Sequence, residues 1–215
     1  MDRKKITFLL LLLLFAGGSV FSQIFKGAVI GGFNLSQVDG DEVYGFKRIG
    51  LNAGAAVLVP LGDHWEISLE NSFCQKGAYQ KQQYIDSARS LTGEYDLRLN
   101  YVEVPLLVHY RDKGGLTFGA GFSWGRLVGS REIEHGDEDI AYSDSIPFNE
   151  NDVSIIADFR FKIWKRLHAN VRYSYSLADI RERTFYSLNG ADSWIRKQYN
   201  NILTFRLIYI IDLKF

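Results

Sequence analysis

The stretch NILTFRLIYIIDLKF, Asn201–Phe215, decides how the rest of the sequence reads. Its odd positions are all apolar or aromatic: Leu203, Phe205, Leu207, Tyr209, Ile211, Leu213 and Phe215. Its even positions include Thr204, Arg206, Asp212 and Lys214. A strict period of two over this length is the signature of a strand with one apolar and one polar face.

The pattern recurs upstream. Leu167, Ala169, Val171, Tyr173, Tyr175 and Leu177 alternate with His168, Asn170, Arg172, Ser174 and Ser176. Val153, Ile155, Ala157, Phe159, Phe161 and Ile163 oppose Ser154, Asp158, Arg160 and Lys162. Trp65, Ile67, Leu69 and Phe73 oppose Glu66, Ser68, Glu70, Ser72 and Lys76. Further strands are expected near 25–36, 47–59, 96–111 and 116–127, which makes eight. Short turns at Leu61–His64, Asp112–Gly115 and Trp164–Arg166 take turns with long loops near 37–46, 78–95, 128–151 and 178–198. An up-and-down barrel with that order gathers its short turns at one end and its long loops at the other, as transmembrane barrels do.

Alternation does not say which face points inward, and a secreted, lipocalin-like ligand-binding barrel would reverse the two. Three features favour a membrane barrel. The apolar face is long enough to cross a bilayer along a tilted path of ~9–11 residues. Aromatic residues crowd strand ends, at Trp65, Tyr110, Trp124, Trp164, Tyr175 and Phe215, where interface girdles form. Small residues on the polar face, among them Gly50, Gly54, Ala56, Gly119, Gly121 and Gly125, make room inside a narrow lumen.

Arg3, Lys4 and Lys5 precede an apolar run from Ile6 to Ala16 and a group of small residues, the order of a secretory signal peptide. The run is too short for a spanning helix, which needs ~20 residues. Cleavage is expected after Ser22, giving a signal peptide of residues 1–22 and a single barrel domain over 23–215. The remaining chain holds 22 basic and 24 acidic residues, so it lacks the basic stripe of a nucleic-acid-binding protein. The lone Cys74 has no partner for an internal disulfide.

The polar faces would meet in the lumen. Glu66, Glu70, Lys76, Glu103, His109, Arg111, Asp158, Arg160, Lys162, Arg172, Arg206 and Asp212 are expected to share it. An eight-stranded interior is just wide enough to be filled by side chains, so mixed charges at close quarters predict a plug of ion pairs, not an open pore.

The segment Tyr101-Val102-Glu103-Val104-Pro105-Leu106-Leu107 resembles the Y-x-E-[IV]-P-L-L strand of the PorT-type outer-membrane barrel family of Bacteroidota. Gly31-Gly32-Phe33-Asn34-Leu35-Ser36 resembles that family's first strand, and Phe21-Ser22 before Gln23 is similar to its signal-peptide usage. Each motif is short, but the layout covers the whole mature chain. The resemblance implies an outer-membrane barrel with no shared reaction and no cofactor. The secretion and gliding role of the founding member is not carried over. Tyr209, Ile211, Leu213 and Phe215 resemble the signal that outer-membrane assembly machinery reads.

Catalytic signals are weak. His64 falls in a turn, His135 in a long loop, and His109 and His168 on lumen faces, with no serine at a telling spacing. The loop 131–150 is acidic (Glu132, Glu134, Asp137, Glu138, Asp139, Asp144 and Glu150 against Arg131), with Ile133, Ile140, Tyr142, Ile146 and Phe148 interleaved. Oxygen ligands of this kind suit a cation, but the spacing matches no calcium loop, and a solvated loop explains the charges better. The loop 178–198 offers Arg181, Arg183, Arg196 and Lys197 to lipopolysaccharide phosphates. The expectation is a non-enzymatic outer-membrane barrel without cofactor. Its long loops would contact a protein partner or the lipids and lipopolysaccharide around it. A lipid-modifying barrel enzyme is the alternative.

Overall fold

A computed structural model describes residues 25–82, 84–85, 90–91, 93–134, 137–138, 147–186 and 193–212. The expected signal peptide, His135, and Leu213 and Phe215 of the assembly signal lie outside the described residues.

Eight strands form the wall: β1 Lys26–Asp39, β2 Arg48–Leu61, β3 Trp65–Gln80, β4 Tyr95–Arg111, β5 Leu116–Glu134, β6 Asn151–Trp164, β7 Leu167–Ser176 and β8 Ser193–Asp212. Each pairs antiparallel with the next, and β8 pairs with β1 from Lys26↔Asp212 to Asp39↔Tyr199. Phe33 and Phe205 stack across this seam with ring centroids 5.5 Å apart. The sheet therefore closes on itself, which leaves no edge of unpaired amides for lipid to accommodate. Pro105 has no amide to donate, and the β3–β4 register skips the pairs beside it, resuming at Leu69↔Leu106 and Ser72↔Glu103.

The faces are inverted relative to a soluble barrel. Val29, Leu106, Phe122 and Leu207 are all more than half exposed on the outside. Glu66, Glu70, Arg160, Arg172 and Arg206 are buried inside. An apolar exterior around a charged interior is a transmembrane arrangement, so the lipocalin-like alternative falls. Trp65 meets the Tyr110 ring edge-on at 5.2 Å beside the short turns, the periplasmic end in such a barrel.

Two features depart from the sequence reading. The strands are longer: β5 runs to Glu134 and β8 starts at Ser193, and Arg181–Tyr186 pairs with the top of β8. The regions expected as loops 128–151 and 178–198 thus begin as wall. Pairing continues above the membrane, where neither face meets lipid, so nothing enforces alternation there. The lumen is also not wholly polar. Ala28, Ile30, Ala56, Leu58, Ile208 and Ile210 pack inside, on β1, β2 and β8. Val38, Ala78, Tyr95, Leu97, Leu99, Tyr101 and Ile180 form a second apolar cluster toward the loops.

A cation on the outer face near mid-membrane should cost ~2–4 kcal/mol. Leu106→Arg is therefore expected to lower the urea midpoint of the barrel refolded in lipid vesicles. An unchanged midpoint would mean that Leu106 does not face lipid.

Candidate functional site

The even-numbered residues of β3 carry a ladder into the lumen, from Glu66 through Ser68, Glu70 and Ser72 to Lys76, all buried. Period-two geometry alone puts them on one face. Their partners come from strands across the barrel, in three layers.

Nearest the short turns, Glu66 accepts from Arg160 and, at 3.3 Å, from Arg111. In the middle, Glu70 takes Arg172 through two bonds of 2.7 and 3.0 Å and Arg206 at 3.0 Å. Asp158 accepts from Arg172 Nε at 2.9 Å and lies 3.3 Å from Arg206. Asn170 joins in, donating to Asp158 at 2.9 Å and accepting from Arg206 Nε at 2.8 Å. Toward the loops, Lys76 bridges Asp152 at 2.8 Å and Glu103 at 2.5 Å, with its ammonium 4.7 Å from the centre of the Tyr101 ring. Buried charges persist only when paired and hydrogen-bonded, and every one in these layers is.

Nine of the expected lumen residues are buried inside: Glu66, Glu70, Lys76, Glu103, His109, Asp158, Arg160, Arg172 and Arg206. Three are not, because they stand at strand ends. The Arg111 side chain is 41% exposed, Lys162 is exposed, and Asp212 pairs with Arg166 at the mouth, at 3.1 Å. Asp152 and Asn200 are central to the upper layer, joined by a 2.9 Å bond. Their parity with Ser154 and Arg206 was available in the sequence, but both sat at the margins of expected loops.

The serine–histidine pair that sequence spacing did not reveal is present across β3 and β4. Ser68 Oγ lies 2.7 Å from His109 Nε2, and His109 Nδ1 is 3.9 Å from Asp158, beyond hydrogen-bonding distance. Ser68 is completely buried. Gly119 is what admits the imidazole, since a Cβ there would stand 2.3 Å from His109 Nδ1. A nucleophile needs an approach for substrate as well as a base, and the geometry supplies only the base. His168 stays near the mouth, with Nδ1 3.2 Å from the Arg166 carbonyl.

The loop end is organised by Arg181. Its guanidinium binds Glu132 at 2.7 and 2.9 Å and Gln198 at 3.0 Å, and lies over the Phe148 ring at 4.0 Å. Burial would raise the Glu132 carboxyl, but the hydrogen bonds and charge of Arg181 outweigh it and hold it below the usual range. A register shift beside Asn100 and Tyr101 makes this possible. Leu127 pairs with Tyr101 and Glu132 with Leu97, both buried residues. One extra residue between them turns Glu132 inward. The other cations expected to meet lipopolysaccharide are also engaged: Arg183 with Glu132, Arg196 with Glu42, and Lys197 with Asp179 and Glu182. Glu150 of the acidic stretch meets Arg126. The side chains of Glu134, Asp137 and Glu138, and the residues Asp139, Ile140, Tyr142, Asp144 and Ile146, lie outside the described residues. Above the rim, Tyr44 and Ile195 are 76% and 69% exposed, and Trp194 stacks on Phe185.

Asp41 lies beneath this cap, in the β1–β2 loop. Burial pushes its carboxyl up to about 7, against a 2.8 Å hydrogen bond from the Val43 amide. Its second oxygen has no partner among the described residues.

The outer membrane protein beta-barrel domain family matches residues 21–182. No curated protein sequence matches the chain. Among solved structures, the attachment invasion locus protein Ail of Yersinia pestis is 13% identical, with a TM-score of 0.48 over 88% of this chain and 99% of that one. OprG from Pseudomonas aeruginosa is 14% identical, with a TM-score of 0.43 over 89% and 98%. Likenesses this distant say nothing of ligands or partners.

Two outcomes are expected. Glu70→Ala leaves Arg172 and Arg206 short of a counter-charge and should destabilise the barrel by ~3–5 kcal/mol in urea titrations, with Glu70→Gln milder. Folding also favours protonated Asp41, so its stabilising contribution is present below the ordinary carboxyl pKa and is lost as pH rises to about 7. Hydrogen exchange at Gly40–Lys47 should therefore quicken, beyond its intrinsic pH dependence, between about pH 4 and pH 7, and Asp41→Asn should remove that excess.

Proposed function

The chain belongs to the outer membrane protein beta-barrel domain family, and from that premise we propose that it is a closed, non-enzymatic barrel of the outer membrane that works through its extracellular rim. The observation that carries this reading is the middle lumen layer. Glu70, Asp158, Arg172 and Arg206 hydrogen-bond across the interior, which leaves the two ends as the surfaces offered to other molecules.

At the extracellular end Arg181, Arg183, Arg196 and Lys197 are already matched by the chain's own carboxylates, whereas Tyr44 and Ile195 stand out in solvent beside the Phe185–Trp194 stack. That balance favours a protein partner over lipopolysaccharide phosphates as the main contact of the rim. Aromatic and aliphatic anchors of this kind dominate protein interfaces. Outer-membrane lipids would surround the apolar wall. The assembly machinery would read the closing strand through Tyr209 and Ile211, with Leu213 and Phe215 beyond them. The Tyr101–Leu107 and Gly31–Ser36 motifs support a place in the PorT-type branch of Bacteroidota barrels.

A lipid-modifying reading would have to use Ser68 and His109. Complete burial of the serine favours packing as its role.

Photo-crosslinkers at Tyr44 and Ile195 in intact cells should yield one discrete protein adduct. Trp194→Ala should weaken the adduct severalfold while the barrel keeps its heat-modifiable migration. No adduct at either position, or adducts only with lipopolysaccharide, would count against the rim as a protein-binding surface. Lipid profiles should be the same for wild type and Ser68→Ala; a changed profile would revive the enzyme reading.

A further inference from the structure

The periplasmic mouth of the barrel opens into a cavity of about 340 Å³ that the rim does not involve. Six cations line it: Lys26, Arg111, Arg160, Lys162, Lys165 and Arg166. Asp212 is the only carboxylate among the lining residues. The cations are brought together by topology, since they come from the start of β1, the ends of β4 and β6 and the β6–β7 turn. Lys26, Arg111, Arg160 and Lys162 share the lumen parity of Ala28, His109 and Asp158, so they edge the interior and do not belong to the lipid-facing girdle.

Their internal partners do not balance them. Arg166 pairs with Asp212, and Arg111 and Arg160 share Glu66. Lys26 and Lys162 form no ion pair among the described residues. Among the described residues, Lys165 has only the Trp164 ring, 5.3 Å from its ammonium. Among the described residues, and counting Glu66 and Asp212, the mouth holds an excess of four positive charges. All line one cavity, where charges of one sign repel one another. Lys165 also sits in the left-handed region at φ 37°, in a tight turn where glycine would be relaxed. A strained backbone carrying an unpaired cation into a cavity already crowded with cations is a cost that the fold does not require.

We propose that this mouth binds a phosphate-bearing anion presented from the periplasmic side. Three arginines supply planar forks that match phosphate oxygens, and three lysines supply compact charges around them. The Thr117 hydroxyl and the His168 ring add neutral hydrogen-bonding groups to the lining. The volume suits a phosphate monoester, a diphosphate or the head of a phospholipid. The same chemistry is offered by soluble periplasmic phosphates and by anionic headgroups of the inner leaflet. Phosphate would be held by charge and hydrogen bonds alone.

The test uses the full barrel refolded in zwitterionic detergent and, in parallel, in nanodiscs. Calorimetric titration with inorganic pyrophosphate follows the soluble source. Native mass spectrometry from nanodiscs containing phosphatidylglycerol in phosphatidylcholine follows the lipid source. The double variant Lys26→Gln/Lys162→Gln removes two cations without an ion partner, so the barrel should keep its heat-modifiable migration. Lys81→Gln, at the opposite end, is the control. Binding of either source that weakens at least tenfold in the double variant and is unchanged in the control supports the site, and the arm that responds identifies the source. Absence of binding in both arms, or binding that the double variant leaves intact, overturns it.

Discussion

Closure of the sheet is the constraint on which everything else depends. Hydrocarbon offers no partner to a backbone amide, so a wall of strands in a bilayer must satisfy every group within itself. The β1–β8 seam does this over its whole length, from Lys26↔Asp212 to Asp39↔Tyr199. Once the ring is closed at eight strands, its interior is too narrow to be anything but filled. The polar face of each strand then has to find its partners among the polar faces of the others.

That requirement explains the composition of the lumen. Glu70 would be intolerable alone in such a place, as would Arg172 or Arg206. Together with Asp158 and Asn170 they satisfy one another. The ladder on β3 sets the heights at which the layers form, because Glu66, Glu70 and Lys76 are fixed by strand periodicity. The opposing strands supply the complementary charge at each height. The apolar cluster of Ile30, Leu58 and Ile208 fills the sector those layers leave empty, so the plug is part ionic and part hydrocarbon.

Much of this was legible in the sequence wherever lipid enforced it. Between Asn201 and Asp212 one face meets hydrocarbon, and alternation is strict on that face. The polar face was less uniform than it looked, since Ile202, Ile208 and Ile210 share it with Thr204 and Arg206 and are buried inside. Above the membrane the constraint lapses, and with it the signal: β8 continues up to Ser193, and Glu132 turns inward only because of an irregularity beside Tyr101. The Ser68–His109 contact joins residues 41 positions apart, a pairing set by the β3–β4 register and invisible to any local spacing rule. The cationic mouth was hidden for the same reason, its members being scattered from Lys26 to Arg166.

On the proposed reading the filled lumen leaves no aqueous path, and the extracellular and periplasmic surfaces share the work. Single-channel recording of the purified barrel in planar bilayers tests that most directly. A sealed lumen predicts no discrete conductance steps at neutral pH, even at high applied voltage. Stable, ohmic steps from the wild-type barrel would show an open water-filled channel and contradict the account.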